Sequence, residues 1–140
     1  SSMRCVCASV PRPASLRPEA VSMQLQILKC KLHRAELTAC ELNYQGSLSI
    51  DRDLLDLAGI LPYEKILVVN QNNAQRLETY AIEAPRGSRE FCLNGAAARL
   101  GLPGDLVTIM AFAGMTAEEA AGYTPRVVVL SDRNRTATVL

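Results

Sequence analysis

The apolar residues of this chain come in short runs, each closed within a few positions by a turn or helix-stop signal, and this punctuation limits the possible folds more than any other feature. The runs at residues 106–113 and 127–130 are typical, and both fall far short of the roughly 20 residues a membrane-crossing helix needs. Residues 65–70 and 75–82 flank the polar run Gln71-Asn72-Asn73-Ala74 and predict a hairpin with a four-residue loop. Asp51 occupies the N-cap of a predicted helix over residues 52–58 that Gly59 stops, and Thr116 caps a second over residues 117–121. Further strands are predicted at residues 25–40, 47–50, 90–93, 106–112 and 126–130. Short strands broken by helices of one to three turns, without regular βαβ alternation, predict a mainly β chain with short helices, closed into a barrel.

Length and composition fit one domain. The chain has 140 residues, of which 4% are aromatic and none is Trp, so the core must come from Leu, Val, Ile and Ala. A core that small gains from assembly into an oligomer. Residues 1–22 hold three of the seven prolines and three Arg against one Glu, and predict a disordered N-terminal extension. The folded domain is expected over residues 23–140.

That domain carries 12 Lys and Arg against 13 Asp and Glu, with no basic run to track a phosphate backbone, so nucleic acid is not the expected partner and neither is a membrane. A small metabolite fits better. Cys5, Cys7, Cys30, Cys40 and Cys92 form an odd, scattered set, which suits a reducing cytoplasm. Cys30-Lys-Leu-His33 is half a zinc motif without a second half, and no metal is expected.

His33 is the one histidine, and no serine sits in a Gly-x-Ser-x-Gly elbow, so a Ser/His/Asp triad has no basis. No glycine-rich phosphate cradle occurs either. Lys31 and His33 are two apart in a predicted strand and share a face; Arg76 and Tyr80, four apart in another, do the same. Asn43-Tyr44-Gln45-Gly46 reads as a turn, and Ser47 opens the next strand. Alone, the Gly46-Ser47 pair is an ordinary turn glycine before a strand residue.

It is accompanied by Lys31-Leu-His33-Arg34 upstream and by Thr79-Tyr80-Ala81-Ile82, Arg86-Gly87-Ser88 and Asn94-Gly95-Ala96-Ala97-Ala98 downstream. Together these segments resemble the bacterial aspartate α-decarboxylases, a family of pyruvoyl enzymes, in order and separation, over residues 23–129. The resemblance implies a double-psi β-barrel and a homotetramer with active sites between subunits. It implies a precursor that cuts itself between Gly46 and Ser47, giving chains 23–46 and 47–140 and turning Ser47 into a pyruvoyl group. That group would form a Schiff base with L-aspartate and release CO₂ and β-alanine, for pantothenate and coenzyme A synthesis, without pyridoxal phosphate or metal.

By the same resemblance Tyr80 is the proton donor, and Thr79, Gly95, Ala96 and Ala97 bind substrate. Arg76 is the candidate clamp on a substrate carboxylate, with Lys31 as a second cation. Asn94 orients the pyruvoyl carbonyl or its loop, and His33 binds substrate or supports the pocket. Two rival readings stand beside this one: a non-enzymatic β-barrel binding module, and a thiol or metal protein using Cys30, Cys40 and Cys92.

Overall fold

The computed structural model describes residues 23–44 and 46–140; the extension expected over residues 1–22, and Gln45 of the expected turn, lie outside the described residues. The strands are β1 (Leu25–Glu36), β2 (Ala39–Glu41), β3 (Ser47–Asp51), β4 (Lys65–Asn70), β5 (Arg76–Ala84), β6 (Phe91–Asn94), β7 (Leu106–Met115), β8 (Arg126–Ser131) and β9 (Thr136–Val139). Two short helices, α1 (Arg52–Ala58) and α2 (Ala117–Ala121), and a 3-10 segment, Gly95–Leu100, interrupt them. No helix among the described residues is long and apolar enough to cross a membrane.

All nine strands belong to one mixed sheet in the order β2-β6-β3-β5-β4-β7-β1-β8-β9. Two strands have the same surroundings. β1 lies between antiparallel β7 and parallel β8, and β3 lies between antiparallel β6 and parallel β5. This doubled arrangement gives the mainly β, double-psi barrel architecture. Its interior is packed with aliphatic side chains such as Leu32, Leu48, Ile50, Val68, Ile109 and Leu130, and Phe91 is the one aromatic among the described core residues.

The N-caps and the hairpin form where sequence places them. The Asp51 side chain accepts from the Asp53 N–H at 2.8 Å, Gly59 ends α1 with φ 83°, and Thr116 and Glu119 close a reciprocal capping box on α2. Two expectations differ from the structure. The strand expected over residues 25–40 stops at Glu36, because Leu37 turns into the core and donates to the Asp105 carbonyl before β2 restarts against β6. Within β1, Arg34 has φ 62° and the register to β7 shifts between Leu32 and Ala35, so inward-facing residues change parity from Cys30 and Leu32 to Ala35 and Leu37. That bulge explains why the alternation is only partial in the sequence. β9 had no counterpart in the sequence reading; Asp132, Arg133 and Asn134, all at positive φ, turn the chain back onto β8 without a glycine.

Two buried polar side chains tie loops to this frame. Asp51 is fully buried and accepts from the N–H groups of Asp53, Gly87 and Arg89 at 2.8, 3.0 and 2.7 Å. Asn134 holds the Glu36 N–H at 2.7 Å and donates to the Glu36 and Arg89 carbonyls at 2.9 and 3.2 Å. Both grip the loop before β6, the strand that ends at Asn94.

Candidate active site

β5 changes partner in mid-strand. Its first part runs beside β4, from Val69 opposite Arg76 to Lys65 opposite Tyr80; its second part runs beside β3, beginning with Leu48 opposite Ala81. Tyr80 therefore sits at the switch, level with Ser47 at the start of β3. A cleft of about 350 Å³ opens there, lined by Tyr44, Gly46, Ser47, Pro62, Tyr63, Tyr80, Ile82 and Glu83.

Ser47 forms the cleft floor and is only 1% exposed. Its partner across the antiparallel pair is Asn94, also buried, whose Nδ2 donates to Ser49 Oγ at 2.8 Å and to Ser47 Oγ at 3.4 Å. The other end of that amide is held as well: the Cys92 thiol donates to Asn94 Oδ1 at 3.3 Å. Burial, followed by the charge of Glu90 and the neighbouring thiol of Cys40, pushes the Cys92 pKa up, so the proton needed for that bond stays on sulfur at neutral pH.

The two glycines of the site are glycines for different reasons. A Cβ on Gly46 would meet nothing within 4 Å, so packing does not demand a glycine there. Gly95 has φ 65°, and a Cβ on it would stand 2.7 Å from the Tyr44 carbonyl oxygen and 2.8 Å from Gly46 N. The backbone before Ser47 thus rests directly on Gly95, a contact only glycine permits. Ala96 is exposed, and Ala97 is half-buried against the core.

On the other side of the cleft the Tyr63 and Tyr80 rings lie 6.5 Å apart between centroids, tilted by 34°. Tyr63 adopts φ 69°, a strained conformation for an aromatic residue. Backbone bonds hold it there: Tyr63 N–H donates to the Ala81 carbonyl at 2.7 Å, and Ala81 N–H donates to that of Glu64 at 3.0 Å. At the cleft edge Glu83 pairs with Arg52 at 3.1 Å.

Arg76, His33 and Lys31 lie on the outer face of the wall formed by β5, β4, β7 and β1. Arg76, Val69, Thr108 and His33 form one row across it; Glu78, Leu67, Met110 and Lys31 form the next. Thr79 points to the opposite side of β5 from Tyr80 and is half-buried. Four residues of strand put Arg76 about 13 Å from Tyr80, and three strand spacings put His33 and Lys31 about 14 Å from β5. Within one chain, then, Gly46, Ser47, Tyr80, Asn94 and Gly95 come together, whereas Lys31, His33 and Arg76 do not line the cleft. The His33 Nδ1 lies 3.2 Å from Thr108 Oγ1, and burial, then the charges of Lys31 and Arg34, hold its pKa below the ordinary imidazole value.

Sequence reasoning missed Tyr63, Glu83 and Ser49, and placed Cys92 in a rival thiol or metal reading rather than beside Asn94. Nothing in the local pattern marks these roles, because Ser49, Glu83 and Cys92 reach the site through strand pairing and Tyr63 through its backbone bond to Ala81. Arg86-Gly87-Ser88, by contrast, acts away from the cleft: Arg86 pairs with Asp53 and Asp56 on α1 at 2.9 and 2.8 Å, and Gly87 N–H bonds Asp51. Among the described residues no cluster of three or more His, Cys, Asp or Glu side chains is arranged to hold a metal ion. The donor set at Ser47, the Asn94 amide N–H with the Ser49 hydroxyl beside it, fits a small carbonyl group made from that residue.

Comparison with known proteins gives the family. Residues 23–137 match the family described as aspartate decarboxylase. The chain is 56% identical to the aspartate 1-decarboxylase of Maricaulis maris over 113 residues, 81% of this chain and 93% of that one. It is 55% identical to that of Pelotomaculum thermopropionicum, covering 84% and 89% of the two chains, and 54% identical to that of Hyphomonas neptunium, covering 80% and 95%. A β3 that begins with Ser47 against Asn94, set in a mainly β barrel and matched along nearly the whole described chain, makes this protein a member of the aspartate decarboxylase family.

Proposed function

We propose that this protein decarboxylates L-aspartate to β-alanine and CO₂, feeding pantothenate and coenzyme A synthesis in the cytoplasm, after cutting its own backbone between Gly46 and Ser47. The observation that carries the reading is the meeting of the Gly46-Ser47 bond, Asn94 and Tyr80 at the β5 partner switch, in a chain of this family. Ser47 Oγ attacks the Gly46 carbonyl carbon, the amide C–N bond breaks, and an ester joins the two residues. Elimination then releases the Gly46 carboxylate and leaves a carbon–carbon double bond on residue 47. Addition of water with loss of ammonia converts that residue to a ketone at a new chain end.

The resulting pyruvoyl group supplies an electron sink for the pair left behind when CO₂ departs. The chain's own residues supply the rest. Asn94 Nδ2, which points at residue 47, is the donor that would hold the oxygen that water adds to its α-carbon. Tyr80 returns a proton to the carbon that lost CO₂, from the cleft wall facing Ser47. Gly95, Ala96 and Ala97 let the substrate approach the backbone closely, whereas Thr79, on the opposite side of β5 from Tyr80, takes no part in this reading of the cleft.

Aspartate brings two carboxylates, and the cations suited to them, Arg76 and Lys31, stand with the neighbouring His33 on the outer wall rather than in the cleft. The reading therefore includes a homotetramer in which facing walls complete each site. Partly exposed Phe112, with Leu67 and Met110 half-buried beside it, gives that wall the apolar surface that subunit contact needs.

Denaturing mass spectrometry of the purified protein tests the central step. The expected result is two fragments divided after Gly46, the second starting with a blocked terminus, and a single intact, folded, inactive chain for Ser47→Ala. Decarboxylation by an uncut wild-type chain, or by Ser47→Ala, overturns the reading.

A further inference from the structure

We propose that Cys92 is a positioning residue for the Ser47 centre: by donating its thiol proton to Asn94 Oδ1, it selects the amide orientation that points Nδ2 at Ser47. The inference rests on the reading of Gly46-Ser47 as the bond that is cut. An asparagine amide has a donor end and an acceptor end of nearly equal shape, and its neighbours decide which end faces where. The Ser47 and Ser49 hydroxyls can both donate and accept, so they would tolerate either orientation. Cys92 breaks the tie. It is 6% exposed, belongs to the same strand as Asn94, and meets Oδ1 at 3.3 Å, closer than the alternative acceptor, the Leu93 carbonyl, at 3.8 Å.

The orientation matters because the chemistry at residue 47 changes what the site needs. A hydroxyl can accept from Nδ2 or donate to Oδ1, but the ketone oxygen, which water brings to the α-carbon after Oγ has left with the Gly46 carboxylate, can only accept. With Nδ2 forward, Ser47 Oγ is anchored before cleavage and the carbonyl oxygen has a donor afterwards. With Oδ1 forward, that new carbonyl oxygen would face a second acceptor. A buried amide in the wrong orientation is costly to leave unsatisfied, so the thiol proton controls both the rate of maturation and the later state.

The test compares wild type with Cys92→Val, which keeps a side chain of similar size without a donor, and Cys92→Ser, which keeps the donor. After protein synthesis is stopped, the ratio of intact to cut chain is followed over time by denaturing mass spectrometry, and folding is checked by circular dichroism melting. The expected result is cleavage slowed roughly fivefold or more in Cys92→Val, the scale of one lost neutral hydrogen bond, and restored to within about twofold in Cys92→Ser by the same scale. Equal rates in wild type and a folded Cys92→Val, or a Cys92→Ser that stays as slow as Cys92→Val, overturn the proposal. If Cys92→Val does not fold, Cys92→Ala replaces it against the same serine rescue. Absence of any cut in wild type would instead overturn the cleavage reading itself, so the two failures are distinct.

Discussion

Gly46 and Ser47 are adjacent in the chain but lie in opposite environments: the glycine is exposed, and the serine is buried beneath Asn94. This contrast suits a bond that must be reachable by one specific hydroxyl and by little else. Tyr80, 38% exposed in the single chain, has room to meet a substrate above Ser47. On the proposed function the phenol acts after maturation, so replacing it with Phe should leave cleavage intact and lower CO₂ release from aspartate by about 10²–10⁴-fold; a carbon dioxide assay alongside mass spectrometry reads both. Loss of cleavage in that variant would assign Tyr80 an earlier role. Gly95→Ala combines a positive φ, costing on the order of 1–3 kcal/mol, with a clash against the backbone of Tyr44 and Gly46. It should lower the melting temperature and block cleavage together, since it displaces the peptide to be cut; cleavage at the normal rate in this variant would refute that link.

At the scale of elements, the site depends on strands β3 and β6 keeping their register, and Asp51 and Asn134 hold that register from the far end. Asp51 caps α1 and fastens the loop that leads into β6, so Asp51→Ala removes a helix cap worth about 1 kcal/mol and strands two further N–H groups. The expected loss is roughly 2–4 kcal/mol, measured by urea unfolding, with Asp51→Asn less affected because it retains a carbonyl oxygen. A change below half a kilocalorie would show that the loop is held by other contacts. The exposed Arg86 network belongs to the same scale: Arg86 beside Asp56 holds that carboxyl below its usual range. A depressed carboxylate contributes stability above its unfolded pKa and loses it as pH falls through the folded one. Arg86→Ala should therefore narrow its gap from wild type in melting temperature as pH falls below the carboxylate range; a gap that widens there would contradict the sign.

On the scale of the whole molecule, one chain supplies the cleft but leaves Arg76, Lys31 and His33 out on the wall. A small aliphatic core and a wall with partly exposed Phe112 favour assembly of several copies over a lone subunit. Phe112→Asp places a charge in the middle of that wall, and the expected outcome is a folded protein of lower mass by native mass spectrometry that has lost decarboxylation. A monomeric wild type with full activity would remove the need for facing walls.

What the sequence by itself determined was local. Asp51, Gly59 and Thr116 marked the helix ends because capping depends on neighbours three or four residues away, and the Gln71-Asn72-Asn73-Ala74 turn marked the hairpin for the same reason. The motif order around Gly46-Ser47 also carried the family, since chemistry at one bond demands particular residue types. The tertiary structure alone decided what depends on pairing between distant strands: the bulge at Arg34, the return of β9, the strained Tyr63 beside Tyr80, and the chain of hydrogen bonds from Cys92 through Asn94 to Ser47. It also separated the wall cations from the cleft, because residues that share a strand face need not share a site. Periodicity specifies which side of a strand a residue takes, but register between strands as distant in sequence as β3 and β6 is set by the packing of the whole core.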